Sequence, residues 1–501
     1  MEDNAIKKTN SLSTIGIFAG PLLAALVLWL GAPETLQSDD SFIPAAWVVL
    51  ALLLLMAVWW VTEAVPIPVT SLLPLIVLPL AGISSIKEVA TPYMHPIVVL
   101  LLGGFIFAKA IEQWGLHERI ALNVVKNSGG SAAGLIGGFM VAAAMLSMWI
   151  SNSATSIMMM PIALSVAAAV ENGHNKEHRP FAWALLLGIA YACSIGGLGT
   201  PVGTPTNLIV LGYLNDQTGR DIGFAQWMAL GLPVVAIMLP LAWFALTRWA
   251  FTMPQLSADE ARQKVTKRLD ALGAMTWPEW RTLGLFIVIA SLWVFKRQLN
   301  AFEVSFGGQQ HMPLAGLTDH MTAIIAVILC FLIPAGGKGR KGEKLLNWKT
   351  AESIPWGVLL LFGGGMSLAQ AISGSGLSAY IGQSLGLLAT LPTPVLIFLV
   401  TASVLALTEV TSNIATASAL MPVLGAVAIE TGLPLEMMAA PVALAASCAF
   451  MLPMATGPNA VAFATGEVSL AKMAKAGIRV NIIAIAVITV AAYFLAPLVL
   501  G

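Results

Sequence analysis

Apolar stretches close to twenty residues long recur along this chain from Ile15 to Leu500, joined by short polar links. About twenty apolar residues in a helix cross the hydrocarbon core of a bilayer, where every backbone N–H and C=O must find a partner inside the protein. Such a series constrains the chain to a bundle of membrane-crossing helices. Composition agrees: 58% of the 501 residues are hydrophobic, 10% are charged, and mean hydropathy is +0.85, whereas about a quarter of a globular domain is charged. These figures exclude a soluble enzyme. The 25 basic and 25 acidic side chains cancel, so nothing points to nucleic acid as a partner. Cys193, Cys330 and Cys448 are scattered inside apolar stretches, and no two histidines have metal-site spacing. Neither a disulfide framework nor a transition-metal site is expected.

Spans are predicted near Ile15–Leu30, Ala45–Trp60, Val69–Ile83, Ile97–Ile111, Ala132–Ile150, Ala154–Val170, Phe181–Gly196, Trp227–Trp249, Leu283–Phe295, Met321–Ile333, Pro355–Ile372, Pro394–Leu407, Ala415–Ile429, Met437–Leu452 and Ile478–Leu500. Some are too short or too rich in glycine to cross alone. The first run is followed by Gly31-Ala32-Pro33-Glu34, a poor cleavage site, and is read as an uncleaved helix. The polar connections Thr252–Arg281 and Gly336–Ala351 hold Arg262, Lys264, Lys267, Arg268, Lys338, Arg340, Lys341 and Lys344. Basic loops stay on the cytoplasmic side. The link Gly31–Ser41 has no Lys or Arg, which places it outside and the N-terminus inside.

One pattern occurs twice. Gly103-Gly104-Phe-Ile-Phe-Ala108-Lys-Ala110-Ile111-Glu-Gln-Trp-Gly115-Leu116 falls on Gly364-Gly365-Met-Ser-Leu-Ala369-Gln-Ala371-Ile372-Ser-Gly-Ser-Gly376-Leu377, an offset of 261 residues with seven of fourteen positions identical. The same offset lays Ser151-Asn152-Ser153-Ala154-Thr155 on Ser412-Asn413-Ile414-Ala415-Thr416, and Met160-Pro161 on Met421-Pro422. Gly203-Thr204-Pro205-Thr206-Asn207 matches Ala455-Thr456-Gly457-Pro458-Asn459 at an offset of 252. Small residues abound in membrane helices, but three matched blocks in one order make coincidence a poor account. The flanks of the first Ser-Asn element hold Arg119, Lys126, Lys176 and Arg179, whereas Ser378–Pro394 and Glu430–Glu436 around the second hold no base. The first hairpin should therefore enter from the cytoplasm and the second from outside. Inverted repeats with interrupted helices are the pattern of secondary transporters, whose sites lie where the interruptions meet.

The fold class expected is thus an all-α polytopic membrane protein of about eleven spans, built of two inverted repeats, each with a re-entrant hairpin and an interrupted helix. Its parts are an N-terminal tail and first helix (1–44), a first repeat (45–251), a cytoplasmic linker (252–281) and a second repeat (282–501). Ser-Asn-Ser and Ser-Asn-Ile stand at the hairpin tips. Ser and Asn start helices well, and a helix start aims free N–H groups and a positive dipole end at an anion. Gly199–Pro205 and Ala455–Pro458 should unwind the next helix of each copy, freeing carbonyls that, with Ser and Thr hydroxyls, suit Na⁺. Glu63, Lys109, Glu112 and Glu409 are the main charges in the apolar part. Lys109 and Glu112 have the spacing of a helical ion pair. For Glu409, three residues before Ser412, a structural salt bridge or a position near a hairpin base is set against a part in cation binding or protonation.

At these residues the chain resembles the divalent anion/sodium symporter (INDY-like) family: the paired Ser-Asn-x-Ala-Thr elements, Thr408-Glu409-Val410-Thr411-Ser412-Asn413, Gly203–Asn207 and Ala455–Asn459 carry the likeness, which runs from about Val58 to the C-terminus. The resemblance implies a homodimer of eleven-spanning protomers, each with a scaffold and a transport domain that moves as an elevator. It further implies Na⁺-coupled import of dicarboxylates or, in some branches, citrate or sulfate. Carried over by position, one Na⁺ site would use Ser147, Ser151, Asn152 and Gly203, and the other Thr408, Thr411, Asn413 and Ala455. Substrate carboxylates would meet Asn152, Ser153, Thr204, Asn413 and Thr456, with Ile414 beside them. The family's usual triplet is Ser-Asn-Thr; Ser153 keeps the hydroxyl and Ile414 lacks it.

The function expected is a secondary active symporter that imports C4-dicarboxylates with Na⁺ as the co-transported ion and no organic cofactor, multi-pass in a cell membrane of bacterial inner-membrane type. The alternatives are a sodium-independent dicarboxylate exchanger, a sulfate or citrate symporter on the same fold, and an anion channel. No catalytic constellation of His, Asp and Ser is legible, so an enzyme is not expected.

Overall fold

The computed structural model describes residues 2–33, 44–129, 131–170, 179–253, 259–306, 309–337, 340, 342–384 and 391–501. Lys176, Lys338, Lys341 and most of the Gly31–Ser41 link lie outside these residues. The described residues are predominantly α-helical. A two-stranded antiparallel ribbon, Val304–Phe306 with Gln309–His311, is the one sheet among the described residues. Among the described residues, eight helices are long and apolar enough to cross a membrane, and six shorter apolar helices of 10–17 residues accompany them.

The internal repeat is visible in the helix boundaries. The first hairpin consists of Ala132–Ser147 and Asn152–Val170, the second of Thr393–Thr408 and Asn413–Thr431. The next helix of each copy is broken: Arg179–Gly197 resumes as Pro205–Thr218, and Leu435–Ala446 resumes as Gly457–Ala464. Prolines at the first turn of Pro205–Thr218 and at the second position of Gly457–Ala464 restart the helix where their missing N–H costs nothing. The last helix of each copy, Phe224–Phe244 and Leu470–Val490, runs into a π-helical turn, Ala245–Ala250 and Ala491–Leu495.

The glycines of the repeated motif have two physical uses. Gly115 (φ 67°) and Gly376 (φ 79°) sit in the left-handed region that joins Pro96–Gln113 to Leu116–Lys126, and Trp356–Gly374 to Leu377–Ser384. Gly364 allows a close approach, since a Cβ there would lie 2.1 Å from the Ser71 carbonyl oxygen.

Burial grades from inside out. Arg179–Gly197 is buried over nearly its whole length, while Ser13–Leu30 is largely exposed, as is proper for a helix facing lipid. That first helix, Glu2–Leu30, packs on Ala45–Thr62 through Trp47 Nε1, which donates to the Val27 carbonyl at 2.7 Å, and Trp59 Nε1, which donates to the Gly16 carbonyl at 3.1 Å. The expected span Val69–Ile83 is instead two short helices, Ile67–Thr70 and Pro74–Leu80. Pro74 starts the second of them, where its ring blocks continuation of the preceding turn.

The polar connection after the first repeat contains a helix, Asp259–Ala271, clasped to the base of the first hairpin. Arg268 pairs with Glu118 at 2.8 Å, Lys264 Nζ donates to the Ser165 carbonyl at 3.1 Å, and Arg262 donates to the Ser128 carbonyl. Arg119 donates to Glu279 at 2.6 Å and to the Gly273 carbonyl at 2.9 Å. A second polar knot joins Phe224–Phe244 to its neighbours: Lys296 Nζ lies 3.1 Å from both Asp221 and Asp319, and the Phe224 N–H donates to Asp319 at 2.9 Å.

Candidate ion and substrate site

The two hairpin tips and the two helix breaks open on one cavity of about 1070 Å³. Asn152 and Ser153 of the first tip, Asn413 and Ile414 of the second, and Thr204 and Thr456 of the breaks all line it, as do Ser151, Gly203, Thr411 and Ala455. Ser147 and Thr408 are fully buried behind the tips. All the candidate residues therefore converge, although they are spread over more than 300 residues of chain.

The tips repeat one another in detail. Ser147 Oγ lies 2.5 Å from Asn152 Oδ1, and Thr408 Oγ1 lies 2.8 Å from Asn413 Oδ1. Each contact closes the turn across the tip and fixes the asparagine where the second helix begins. The Ser412 hydroxyl makes no cap bond to the helix that starts at Asn413. The first-turn N–H groups there are left to the cavity, with the positive end of the helix dipole behind them.

Oxygen atoms crowd the first asparagine. One end of the Asn152 amide is within reach of Ser147 Oγ at 2.5 Å, the Cys193 carbonyl at 3.2 Å and the Gly203 carbonyl at 3.3 Å, all able to act as acceptors. With its NH₂ turned there, the amide's two hydrogens are shared among the three; with its oxygen there, it accepts from Ser147 Oγ, and a cation would reconcile it with the two carbonyls. The set is all oxygen and carries no soft ligand, which suits a hard ion such as Na⁺. At the second tip Thr408 Oγ1 also donates to the Ala446 carbonyl at 2.8 Å, and Thr411 Oγ1 lies 2.6 Å from Thr416 Oγ1. The Cys193 and Ala446 carbonyls were not legible in the sequence, because a backbone carbonyl is the same in every residue type.

Glu409 differs from the ion pair weighed above. Its carboxylate, 6% exposed, accepts from the backbone N–H groups of Phe450 (2.9 Å), Met451 (3.1 Å) and Leu452 (3.2 Å), and from Asn481 Nδ2 (2.7 Å). The partners are dipoles rather than a cation: a carboxylate caps the loose strand of the second break. Its counterpart in the first copy is Met148, so this brace belongs to one repeat alone.

Two further features escaped sequence reading. Trp149, in the first tip, stacks on Phe224 (5.9 Å between ring centres) and meets the Phe286 edge at 4.9 Å, which anchors that tip; its counterpart Val410 is 60% exposed on the cavity wall. Ser153 lies against Gly457, so that the tip of one copy touches the break of the other. Lys109 and Glu112 form the expected pair at 2.7 Å and line the cavity with Glu63, whose φ of 47° ends the helix Ala45–Thr62.

Comparison with known proteins bears on this geometry. A family model described as the sodium:sulfate symporter transmembrane region matches residues 20–500. The chain is 39% identical over 500 residues to the sodium-dependent dicarboxylate transporter SdcS of Staphylococcus saprophyticus, covering 99% of this chain and 93% of that one. It is 38% identical over 493 residues to the protein of the same name from Staphylococcus aureus strain NCTC 8325, covering 97% and 92%. Among solved structures, the YdaH transporter of Alcanivorax borkumensis, described as having an unusual topology, superposes with a TM-score of 0.55 over 96% of this chain and 97% of that one. At 13% identity that likeness speaks to the fold alone.

Proposed function

We propose, from the premise that this chain belongs to the sodium:sulfate symporter family of membrane transporters, that it is a sodium-coupled symporter importing C4-dicarboxylates such as succinate, malate and fumarate. The observation that carries the reading is the duplicated hydroxyl–asparagine contact, Ser147 with Asn152 and Thr408 with Asn413, on one cavity. Each contact gathers oxygen ligands for a Na⁺ ion, and each asparagine opens a helix whose start faces an anion. The ions come first in physical terms. Among the described residues, the charged side chains on the cavity wall are Glu63, Lys109 and Glu112, a formal net charge of −1 that repels a dianion until cations are bound.

In this reading the first cation site comprises Ser147, Ser151, Asn152 and Gly203, and the second Thr408, Thr411, Asn413 and Ala455. Asn152, Ser153, Thr204, Asn413 and Thr456 receive the carboxylates. The relatives named as sodium-dependent dicarboxylate transporters support this choice of ion and substrate. We place the protein in the cell membrane as a homodimer, N-terminus in the cytoplasm, with the hairpins and broken helices moving together as an elevator against the remaining helices. The division into repeats 45–251 and 282–501, with the linker between them, belongs to the same reading.

A second reading keeps the site and changes the anion. Ile414 presents a hydrocarbon to the cavity where Ser153 presents a hydroxyl, which suits a substrate held strongly at one end, or sulfate. Radiolabelled succinate uptake into proteoliposomes, with and without an inward Na⁺ gradient and with sulfate and citrate as competitors, separates these. Na⁺-driven accumulation blocked by malate and fumarate is the expected result. Sulfate flux without succinate flux moves the assignment to the second reading, and counterflow in Na⁺-free buffer makes the protein an exchanger.

A further inference from the structure

Each helix break is crossed by one buried asparagine in the same way. Asn207 Nδ2 donates to the Gly197 carbonyl at 2.9 Å and the Thr200 carbonyl at 2.8 Å. Asn459 Nδ2 donates to the Ala449 and Leu452 carbonyls, both at 3.0 Å. These are matched positions of the two repeats, and both asparagines are 0% exposed. An amide NH₂ has two donors. Here each is spent on tying the loose strand of a broken helix back to the helix that follows it.

The geometry then reaches the ion sites. In the first copy Thr200, whose carbonyl Asn207 holds, accepts the Gly203 N–H on its Oγ1 at 3.1 Å and donates to the Met148 carbonyl in the hairpin tip. Gly203 is the residue whose carbonyl stands 3.3 Å from the Asn152 amide. In the second copy Leu452, held by Asn459, accepts the Ala455 N–H at 3.3 Å, and its own N–H is held by Glu409. Asn207 Oδ1 and Asn459 Oδ1 are both buried without a hydrogen-bond partner among the described residues. A buried amide oxygen without a donor costs about 1–3 kcal/mol. It recurs at both matched positions, beside the segments that supply cation ligands.

We propose that Asn207 and Asn459 are the positioning residues of the two cation sites. Each sets the curve of its own helix break so that the Gly203 or Ala455 carbonyl faces the ion, and each keeps an amide oxygen for the ion's surroundings once it binds. The proposal rests on reading the breaks as cation sites. It differs from a merely structural brace in what it predicts: the loss falls on the ion and spares the anion.

The test uses the full-length protein, reconstituted, with Asn207→Ala and Asn459→Ala each compared with the unmutated chain. The Na⁺ concentration for half-maximal succinate uptake should rise about 10- to 100-fold, as when the support of a metal ligand is removed. The succinate KM at saturating Na⁺ should stay within about threefold, and the rise in melting temperature on replacing choline with Na⁺ should shrink. Unchanged Na⁺ dependence, or Na⁺ and succinate affinity falling together, overturns the proposal. Where alanine prevents folding, Asn207→Ser and Asn459→Ser keep one donor and should give intermediate Na⁺ dependence; wild-type values overturn it equally. Failure of the underlying reading shows elsewhere, in unmutated protein whose uptake and melting temperature ignore Na⁺.

Discussion

Ser153, at the tip of the first hairpin, rests so closely on Gly457, in the second helix break, that a Cβ built on Gly457 would lie 1.9 Å from Ser153 Oγ and 3.0 Å from its Cβ. The two residues come from opposite repeats, and the contact places a cavity-facing hydroxyl by means of a hydrogen atom. Gly457→Ala should therefore push the Ser153 hydroxyl away and raise the succinate KM about tenfold, the worth of one hydrogen bond to a charged group. Ser153→Ala in the same chain should make the two effects far from additive, because the second change removes the atom with which the first collides. Additive losses in a double-mutant cycle of uptake would mean that the two residues act separately.

Asn152→Ala and Asn413→Ala remove the amides that face Ser147 and Thr408. Each should lower uptake by at least about tenfold while the protein still inserts and purifies as a folded species, since the side chains stand at the cavity rather than in the core. Uptake measured beside size-exclusion profiles decides this. Normal transport in both variants would remove the site from these tips without touching the fold.

Glu409→Ala leaves three backbone N–H groups and the Asn481 amide without their acceptor in a buried place. At about 1–3 kcal/mol for each orphaned group, partly relieved by relaxation, the melting temperature should fall clearly. Glu409→Gln should fall between the two, as a single amide oxygen replaces two carboxylate oxygens while its NH₂ faces donors. Stability equal to wild type in Glu409→Ala would show that the second break stands without this cap.

Ile414→Thr restores the hydroxyl that Ser153 already has in the first copy. Succinate affinity should improve about 2- to 10-fold, the range of one added hydrogen bond. Uptake titrations with succinate and sulfate in parallel show whether position 414 tunes affinity for one anion or chooses between anions.

Much of this was readable from the linear chain. The hairpin helices begin and end within a few residues of the predicted spans, because an apolar run flanked by Ser-Asn leaves the backbone little choice but to start a new helix there. Gly115 and Gly376, seen as a repeated letter, are a repeated left-handed turn. The second break is longer than Ala455–Pro458 suggests: the helix Leu435–Ala446 stops well short of it, at a point where Glu409 gathers the N–H groups of 450–452. No local pattern marks that stop, since the acceptor comes from another helix.

Hydrophobic length and the doubled motif pointed to the class of fold, the duplicated hairpins and the residues at the tips, for these follow from local physics: backbone groups must be satisfied in lipid, and equal sequences fold alike. Contacts between distant segments decided the rest. That Ser153 meets Gly457, that Trp149 anchors only one tip, that Cys193 and Ala446 lend carbonyls, and that Asn207 and Asn459 tie the breaks all depend on how helices far apart in the chain pack. A carbonyl oxygen or a missing Cβ has no chemistry of its own until another part of the chain is laid against it.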